Sequence, residues 1–269
     1  MGKISHEARQ LYTNRVKEYK QAIEALQLRE KRVLATLDGD AAGAGYKRFA
    51  LADERLNMAS LYLLLNRISL SMLSVKNDSF VREAHRCCYQ SLMYVEEVVS
   101  DYLDVPFSAY VERLQAIERL PEEQRYALVR KIGFTIHSVA DDFGSNTKWR
   151  WSFVELEGRL AAVARNVVQL RDVVSRLDPR VAGYAERAAH LRLVKELLQR
   201  SADRYLERYT LATSRIDDFK RAIEFLRALK RLHSILGETA QAELVKRKAD
   251  VWKSRMDDEE KRAEQRRDR

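Results

Sequence analysis

The chain has 269 residues, of which 33% are charged and 46% hydrophobic, and its formal net charge is +9. The hydrophobic share is enough for a buried core, which excludes a chain that is disordered throughout. Three prolines and nine glycines are few for this length, and because both residues break helices, their scarcity predicts an all-α protein.

The cysteines and the N-terminal residues bear on the compartment. Cys87 and Cys88 are adjacent and supply no disulfide framework, and the first turn carries charges with no apolar leader after it. We therefore expect a cytoplasmic protein. The apolar stretch 56–75 is long enough for a membrane span, but an arginine, Arg67, lies at its middle, where insertion costs about 2.5–3.5 kcal/mol. We expect a buried helix there and no stable membrane insertion.

The first predicted element is a long amphipathic helix over 4–36. Its apolar stripe has the 4–3 spacing that favours packing against a partner helix. The stripe consists of Tyr12, Val16, Tyr19, Ile23, Leu26, Val33 and Leu37. Glu30 is its one interruption. A flexible turn rich in Asp and Gly follows over 38–45, since both residues stop a helix.

Two further long helices are predicted over 46–75 and, after a polar turn, up to about Leu103. Pro106 and Pro121 are placed as first-turn residues of two shorter helices, because proline is tolerated at that position. Gly133 is then expected to stop the second of these helices.

The Asp-rich stretch 141–146 is the clearest break in the middle of the chain and is predicted to be a linker. It separates a predicted N-terminal helical bundle, 1–140, from a predicted basic helical region with a solvated tail, 147–269. The two parts pack together or stand in tandem.

The most regular apolar pattern runs over 149–177, where hydrophobic residues alternate at spacings of 4 and 3 for four heptads. This pattern is typical of a helix-bundle or coiled-coil seam. The seam could close within one chain or between two chains, since periodicity does not distinguish the two. Trp149 lies on the seam and Trp151 does not, so Trp151 either widens the buried face or marks a partner site.

The remaining predicted helices are 179–212, 215–236 and one from 238 into the tail. Asp178-Pro179 is expected to cap one helix and open the next. A capping box is predicted from Ser214 and Asp217. Gly237 is a predicted C-terminal stop. No segment alternates with period two for long enough to predict a strand, so we expect about eight helices, mostly antiparallel.

Residues 226–252 resemble one tetratricopeptide hairpin. The resemblance rests on Leu229, Gly237, Ala242 and Ala249, which stand at similar spacings. Lys230 replaces the small residue that the family has in its first helix, and no second clear copy follows. In that family, small residues let two helices pack closely and stacked hairpins bind peptides in a groove. A generic hairpin with alanines at the helix contact is the alternative.

Basic charge is concentrated in the C-terminal part: the net charge is +4 over 1–36, −4 over 37–145 and +9 over 146–269. Arginines there recur at helical spacing with tyrosines beside them, an arrangement that can reach phosphates and stack on bases. Interleaved acids can instead pair with these bases along the helix. With Trp151, the candidate interaction residues are Arg200, Arg204, Tyr205, Arg208, Tyr209, Lys220, Arg227 and Arg231.

No catalytic motif or metal-ligand spacing is found in the sequence, so we expect no cofactor, no metal and no enzymatic activity. The function we expect is a cytoplasmic helical scaffold or adaptor that binds another protein or self-associates through its helix seams. The alternative is binding of RNA or DNA through the basic faces of the C-terminal helices. Docking to an acidic membrane surface is a third hypothesis, and it requires exposed apolar residues beside the bases.

Overall fold

The computed structural model describes residues 6–37, 43–144 and 149–267, and within them every regular element is helical. The helices are α1 (His6–Leu34), α2 (Ala44–Leu73), α3 (Asp78–Val99), α4 (Val111–Gln115), α5 (Glu122–Phe143), α6 (Ser152–Asn166), α7 (Tyr184–Arg208), α8 (Ile216–Ile235) and α9 (Thr239–Arg267). A short 3-10 turn precedes α4 and a π-helical turn follows α7. The predicted all-α fold is confirmed, with nine α-helices in these residues where about eight were expected.

Helix α5 is longer than the sequence suggests. Gly133 lies inside it and does not stop it, because the flanking Ile132 and Ile136 are buried at 0% and 3% exposure and their packing offsets the roughly 1 kcal/mol that glycine costs a helix. The predicted linker at 141–146 is also wrong for its first residues. Asp142 lies in the last turn of α5 and accepts a hydrogen bond from Asn66 Nδ2 (3.1 Å). The residues 145–148 and the predicted turn at 38–42 lie outside the described part of the chain.

The prediction of one continuous seam over 149–177 is wrong. Helix α6 ends at Asn166, and residues 167–183 form successive turns with no regular helix. In the sequence, the apolar residues of this stretch still stand at spacings of 4 and 3. In the structure, one of them, Val174, is 56% exposed. Helix α6 is instead buried on nearly all sides, as expected of a central helix rather than a coiled-coil strand.

Buried polar side chains explain why α6 ends where it does. Asn166 is fully buried, and its Nδ2 donates to the carbonyls of Ser100 (2.9 Å) and Tyr102 (2.8 Å). The guanidinium of Arg165, 1% exposed, donates to Tyr110 Oη (3.2 Å) and to the carbonyl of Val105 (3.2 Å). These contacts bind the end of α6 to the chain before α4, and the backbone turns away there.

At the start of α7 and at the end of α8, a glycine marks the helix boundary and a proline does not. Pro179 does not open α7, because the chain makes further turns up to Gly183, whose φ of +76° suits glycine. At the other end, Gly237 ends α8 as predicted. Its φ is +74°, and Glu238 N donates to the carbonyl of His233 (2.9 Å), the six-to-one bond of a Schellman turn.

The predicted capping box before α8 is not formed. Ser214 adopts a left-handed conformation with φ of 50°, and no side chain caps the helix N-terminus. The neighbouring Thr213 takes the polar role, since its Oγ1 donates to Asp218 Oδ2 (2.5 Å). Thr213 is the last residue of the π-helical turn Tyr209–Thr213, and its hydrogen bond places it, rather than Ser214, beside the first turn of α8.

By their contacts, the residues form two compact units. Unit 1 consists of 1–98, 116–120 and 127–156. Unit 2 consists of 99–115, 121–126 and 157–269. Helices α5 and α6 therefore each contribute residues to both units.

In unit 1, α1 packs on α2, whose Leu56, Met58 and Leu65 are fully buried. Glu30, the predicted interruption of the α1 stripe, faces the same way as the stripe and is 4% exposed. Its carboxylate accepts hydrogen bonds from Arg55 Nε (2.8 Å) and Tyr94 Oη (2.5 Å). The interruption is thus a buried ionic contact on the helix interface.

In unit 2, the first turn of α5 holds a buried ionic cluster. Glu122 accepts hydrogen bonds from Arg187 Nε (3.1 Å) and Nη2 (2.8 Å) and from Arg176 Nη1 (2.7 Å). Arg187 is 1% exposed. The pKa of the neighbouring Arg125 is lowered, because burial disfavours its charge more than Glu122 favours it.

Candidate interaction groove

The α8–α9 hairpin is the part of the chain that resembles a tetratricopeptide unit. Helices α8 and α9 pack against each other on either side of the Gly237 turn. Leu229, Ala242 and Ala249 are 3%, 6% and 7% exposed. Three of the four positions that carry the resemblance are therefore buried within unit 2, where the small size of the two alanines lets helices approach closely, and the fourth, Gly237, is exposed in the turn.

Helix α7 packs on the same hairpin and completes an open groove, which we call the α7–α9 groove. It has a volume of about 810 Å³. Its lining residues are Lys195, Glu196, Gln199, Arg200, Asp203, Arg204 and Glu207 from α7, Leu229 and His233 from α8, and Gln241 and Val245 from α9. The volume lies in the usual range of ligand pockets.

The groove has an apolar floor and charged walls. Leu229 and Val245, 3% and 8% exposed, form the floor. The side chains of α7 provide most of the charge, with both signs present along one wall. An apolar floor can bury a partner side chain, while the charges fix its position and direction.

An ionic cluster at the α8–α9 turn lies beside the groove and includes two of its lining residues, Lys195 and His233. Lys195 Nζ donates to Glu238 Oε1 (2.8 Å), and His233 Nδ1 lies 2.5 Å from Glu238 Oε2. Burial acts to raise the pKa of Glu238, but the hydrogen bonds from Lys195 and His233 outweigh it and hold the pKa below its ordinary value. The carboxylate therefore keeps its charge and holds α7 to the hairpin turn.

Two of the predicted interaction residues, Arg200 and Arg204, lie together in the groove. Arg200 is exposed and makes no ion pair or hydrogen bond within the described residues. Arg204 is half-buried and lies 3.7 Å from both Glu157 and Glu207, which is an ion-pair distance but too long for a hydrogen bond. Both guanidinium groups thus have donors to spare.

The two predicted tyrosines have structural roles. Tyr205 is 6% exposed, and its ring packs on Phe225 with centroids 5.4 Å apart, so it is not available to stack on a base. Tyr209 packs on Phe219 (5.0 Å), and its hydroxyl donates to a carboxylate oxygen of Glu259. Gly158 lies against Tyr205: an added Cβ would stand 2.8 Å from its ring.

Three of the predicted bases are engaged by acids. Arg208 donates to Asp218 and covers the Tyr205 ring at 4.6 Å. Lys220 Nζ lies 3.0 Å from Glu260 Oε1, and Arg231 donates to Asp104 Oδ1 (2.9 Å). In each case, the charge is balanced inside unit 2.

Arg227 is exposed and has no ion pair or hydrogen bond within the described ranges. It shares a face of α8 with Lys220 and Arg231, about half a helical turn away from Leu229. The predicted bases therefore divide among the groove wall on α7, the contact of Arg208 with Asp218 at the end of α7, and an outer face of α8. They do not form one surface.

Trp151 belongs to unit 1 and lies in the turn before α6. It is half-buried, and the guanidinium of Arg150 stands 4.7 Å from its ring. This contact is a cation–π interaction on a half-buried ring. Trp151 is thus neither a core residue nor a freely exposed anchor.

Unit 1 has a second groove that no sequence pattern indicated, which we call the Phe134 groove. It has a volume of about 370 Å³ between α2 and α5. Its lining residues are Ser60, Leu63, Ala127, Arg130, Lys131, Phe134, Thr135 and Ser138. Phe134 is 71% exposed, the largest exposed fraction among the apolar side chains of the described chain.

The two cysteines are buried free thiols, as expected of cysteines on a helix in the core. Burial raises the pKa of Cys87 to about 11. In the described residues, no group of three or more His, Cys, Asp or Glu side chains is placed to hold a metal ion. Within the same residues, no helix is both long and apolar enough to cross a membrane.

Fold and site together define an all-α protein with an open, charged groove between three helices. A comparison with protein families matches residues 8–260 to the TP0443 family, and the chain belongs to that family. The match extends from α1 into α9 and so includes both units. No curated protein and no solved structure matches the chain.

Proposed function

We propose that this protein is a non-enzymatic, cytoplasmic α-helical scaffold that binds another protein through the α7–α9 groove. The observation that carries the proposal is the groove itself. Its apolar floor, Leu229 and Val245, lies below a wall where Arg200 and Glu196 have no ion-pair partner among the described residues. Helical grooves that bind peptides combine buried apolar anchors with charges that select the partner.

The hairpin supports a protein partner. Stacked hairpins of the tetratricopeptide family, which α8 and α9 resemble, bind peptides in a groove between helices. In this chain α7 supplies the third helix beside the hairpin. The free thiols of Cys87 and Cys88 support the cytoplasmic part of the proposal, since a reducing compartment keeps thiols unpaired.

The state of the basic residues favours a protein over a nucleic acid. Binding of RNA or DNA would use free cations in a row together with exposed aromatic rings. Here Tyr205 is buried, and Arg208, Lys220 and Arg231 are each paired with an acid. Among the predicted bases, the two without an ion pair within the described residues, Arg200 and Arg227, lie on different helices and so form no continuous basic face of the kind that phosphate binding needs.

The test is site-specific photo-crosslinking in the source cells. A photoreactive phenylalanine analogue replaces Gln241, which is exposed and lines the groove. The matched control carries the same analogue at Arg227, which is also exposed in unit 2 but lies on the outer face of α8.

We expect discrete heavier adducts from the Gln241 position that are absent or much weaker from the Arg227 position. Mass spectrometry of the peptides from each adduct identifies the partner protein. Equal adducts from both positions, or none from either in intact cells, would contradict the proposal. An adduct that nuclease treatment shortens would point to the nucleic-acid hypothesis instead.

A further inference from the structure

The wall of the α7–α9 groove has unused hydrogen-bonding capacity. A guanidinium carries five N–H donors, yet Arg200 donates to no described residue and Arg204 has only its two 3.7 Å ion pairs. The Nε of Arg204 is buried and faces Glu157 Oε2 at 3.7 Å, and neither atom has a hydrogen-bond partner in the described chain. The donors that a bound acceptor can use are therefore the Nη atoms of Arg204 and the whole guanidinium of Arg200.

The spacing of the two arginines sets the spacing of the acceptors. Arg200 and Arg204 are four residues apart on α7, so their Cβ atoms lie about 6 Å apart on one face. Two carboxylates one turn apart on a partner helix have the same separation. Each can accept the paired N–H donors of one guanidinium.

Two other acids near the groove, Asp203 and Glu238, have hydrogen-bond partners of their own. Asp203 accepts from Lys248 Nζ (2.8 Å) and Gln199 Nε2 (2.9 Å), and Glu238 is held by Lys195. Glu196, one turn before Arg200, is exposed and has no described partner. The wall therefore presents a negative charge followed by two positive ones, and this order distinguishes the two directions of a bound segment.

We infer that the α7–α9 groove takes an amphipathic helical segment of a partner protein that is acidic on one side. Two carboxylates one turn apart bind Arg200 and Arg204, and an aliphatic side chain covers Leu229 and Val245. A neutral or basic residue faces Glu196. The inference rests on the proposed function, since it names the chemistry of the partner for the same groove.

The experiment uses the full-length protein as bait for a displayed library of random peptides of roughly 16 residues, about four helical turns. The enriched peptides are synthesised with a fluorescent label, and their Kd is measured by anisotropy. The variants are Arg200→Glu, Arg200→Lys and, as a matched control with the same charge change, Arg227→Glu. Circular dichroism checks that each variant is folded.

We expect enriched peptides with Asp or Glu three or four residues apart beside Leu or Ile. Arg200→Glu is expected to weaken their binding by about tenfold or more, because a favourable contact becomes a repulsion. Arg200→Lys loses the paired geometry and is expected to have an intermediate effect. Arg227→Glu is expected to change Kd less than about twofold, as a charge away from the site does.

Two results would overturn the inference. Either the enriched peptides carry no acids, or acidic peptides bind the Arg200→Glu and Arg227→Glu variants equally well. If Gln241 still gives crosslinks in cells, the proposed function stands in both cases. If neither peptides nor crosslinks are found at the groove, both proposals fail. If a single-stranded oligonucleotide competes with the peptides, and only Arg200→Glu abolishes that competition, the ligand of the groove is a nucleic acid and not a peptide.

Discussion

The two units bury charged side chains for different reasons. In unit 1, the buried acid Glu30 meets Arg55 and Tyr94, and all three belong to regular helices. In unit 2, buried arginines also donate to backbone carbonyls. Arg187 Nη1 donates to the carbonyl of Arg176 (2.7 Å), and Arg125 Nη1 donates to that of Val167 (3.3 Å).

This difference follows from the stretch 167–183. A helix satisfies most of its own carbonyls, but successive turns leave many of them without a partner. Side chains with several donors can supply the missing hydrogen bonds, and arginine has the most. Unit 2 therefore buries cations because part of its interior backbone is irregular, and Glu122 offsets their charge.

The largest effect is expected for Glu122→Ala in unit 2. The substitution leaves Arg187, 1% exposed, without its carboxylate, and removing one partner of a buried ion pair costs about 3–5 kcal/mol. Urea denaturation measures the free energy of unfolding, with Glu123→Ala as the control because Glu123 is exposed in the same turn. A loss below about 1 kcal/mol would show that the cluster is not a strong stabilising contact.

A smaller loss is expected for Glu30→Ala in unit 1, about 1.5–3 kcal/mol, the range of a hydrogen bond to a charged group. Arg55 is only half-buried, so water can solvate it after the change. Burial has the largest effect on the pKa of Tyr94 and the hydrogen bond to Glu30 the next largest, and together they raise it to about 12. Tyr94→Phe is therefore expected to remove one late-ionising phenol from an absorbance titration, at a cost of about 0.5–1.5 kcal/mol. If Glu30→Ala costs as much as Glu122→Ala, the contrast between the units is lost.

Gly158→Ala tests packing in unit 2 without changing a charge. The added methyl group stands 2.8 Å from Tyr205 and 3.0 Å from Phe225, so the buried rings must shift. We expect a loss of about 1–2 kcal/mol, within the range of overpacked cores. Thermal denaturation measures it, and Gly237→Ala gives a comparison in which backbone strain replaces crowding. An unchanged or raised Tm for Gly158→Ala would mean that the core around Tyr205 adapts freely.

The smallest effect concerns pH and Glu238. Because its folded pKa is held below the ordinary value, the contribution of Glu238 to stability is present above about pH 4.5 and is lost as pH falls through the folded pKa. We expect Glu238→Gln to lower Tm slightly at neutral pH and to match the wild type in strong acid. Calorimetry at several pH values measures this, and two parallel Tm curves would contradict the assignment.

The sequence predicted well what depends on neighbouring residues. Gly237 ends α8 because only the local backbone decides it, and the α1 stripe marks the face that packs on α2. The 149–177 pattern misled because heptad spacing predicts one continuous helix, whereas the chain after α6 forms turns in which Val167 and Leu170 are buried and Val174 is exposed. Arg165 and Asn166, whose contacts end the helix, are ordinary polar residues in the sequence.

The groove could be predicted only in part. The periodicity of the arginines on α7 placed Arg200 and Arg204 on one face, and the structure brings both into the groove. The acids that neutralise the other bases are distant in sequence, as Asp104 is from Arg231. The Phe134 groove has no local signal, since its lining comes from two helices, α2 and α5, that are distant in sequence.

The interleaving of the two units has a consequence for synthesis on the ribosome. Unit 1 needs residues up to 156, whereas unit 2 has already received 99–115 and 121–126 by then. Those early segments, which contain Tyr110 and Glu122, must wait for Arg165 and Arg187 to emerge before their polar groups find partners. A nascent chain stalled between these points therefore has all the residues of unit 1 but leaves Tyr110 and Glu122 without these partners, and we expect chaperones to bind it more readily than the completed chain.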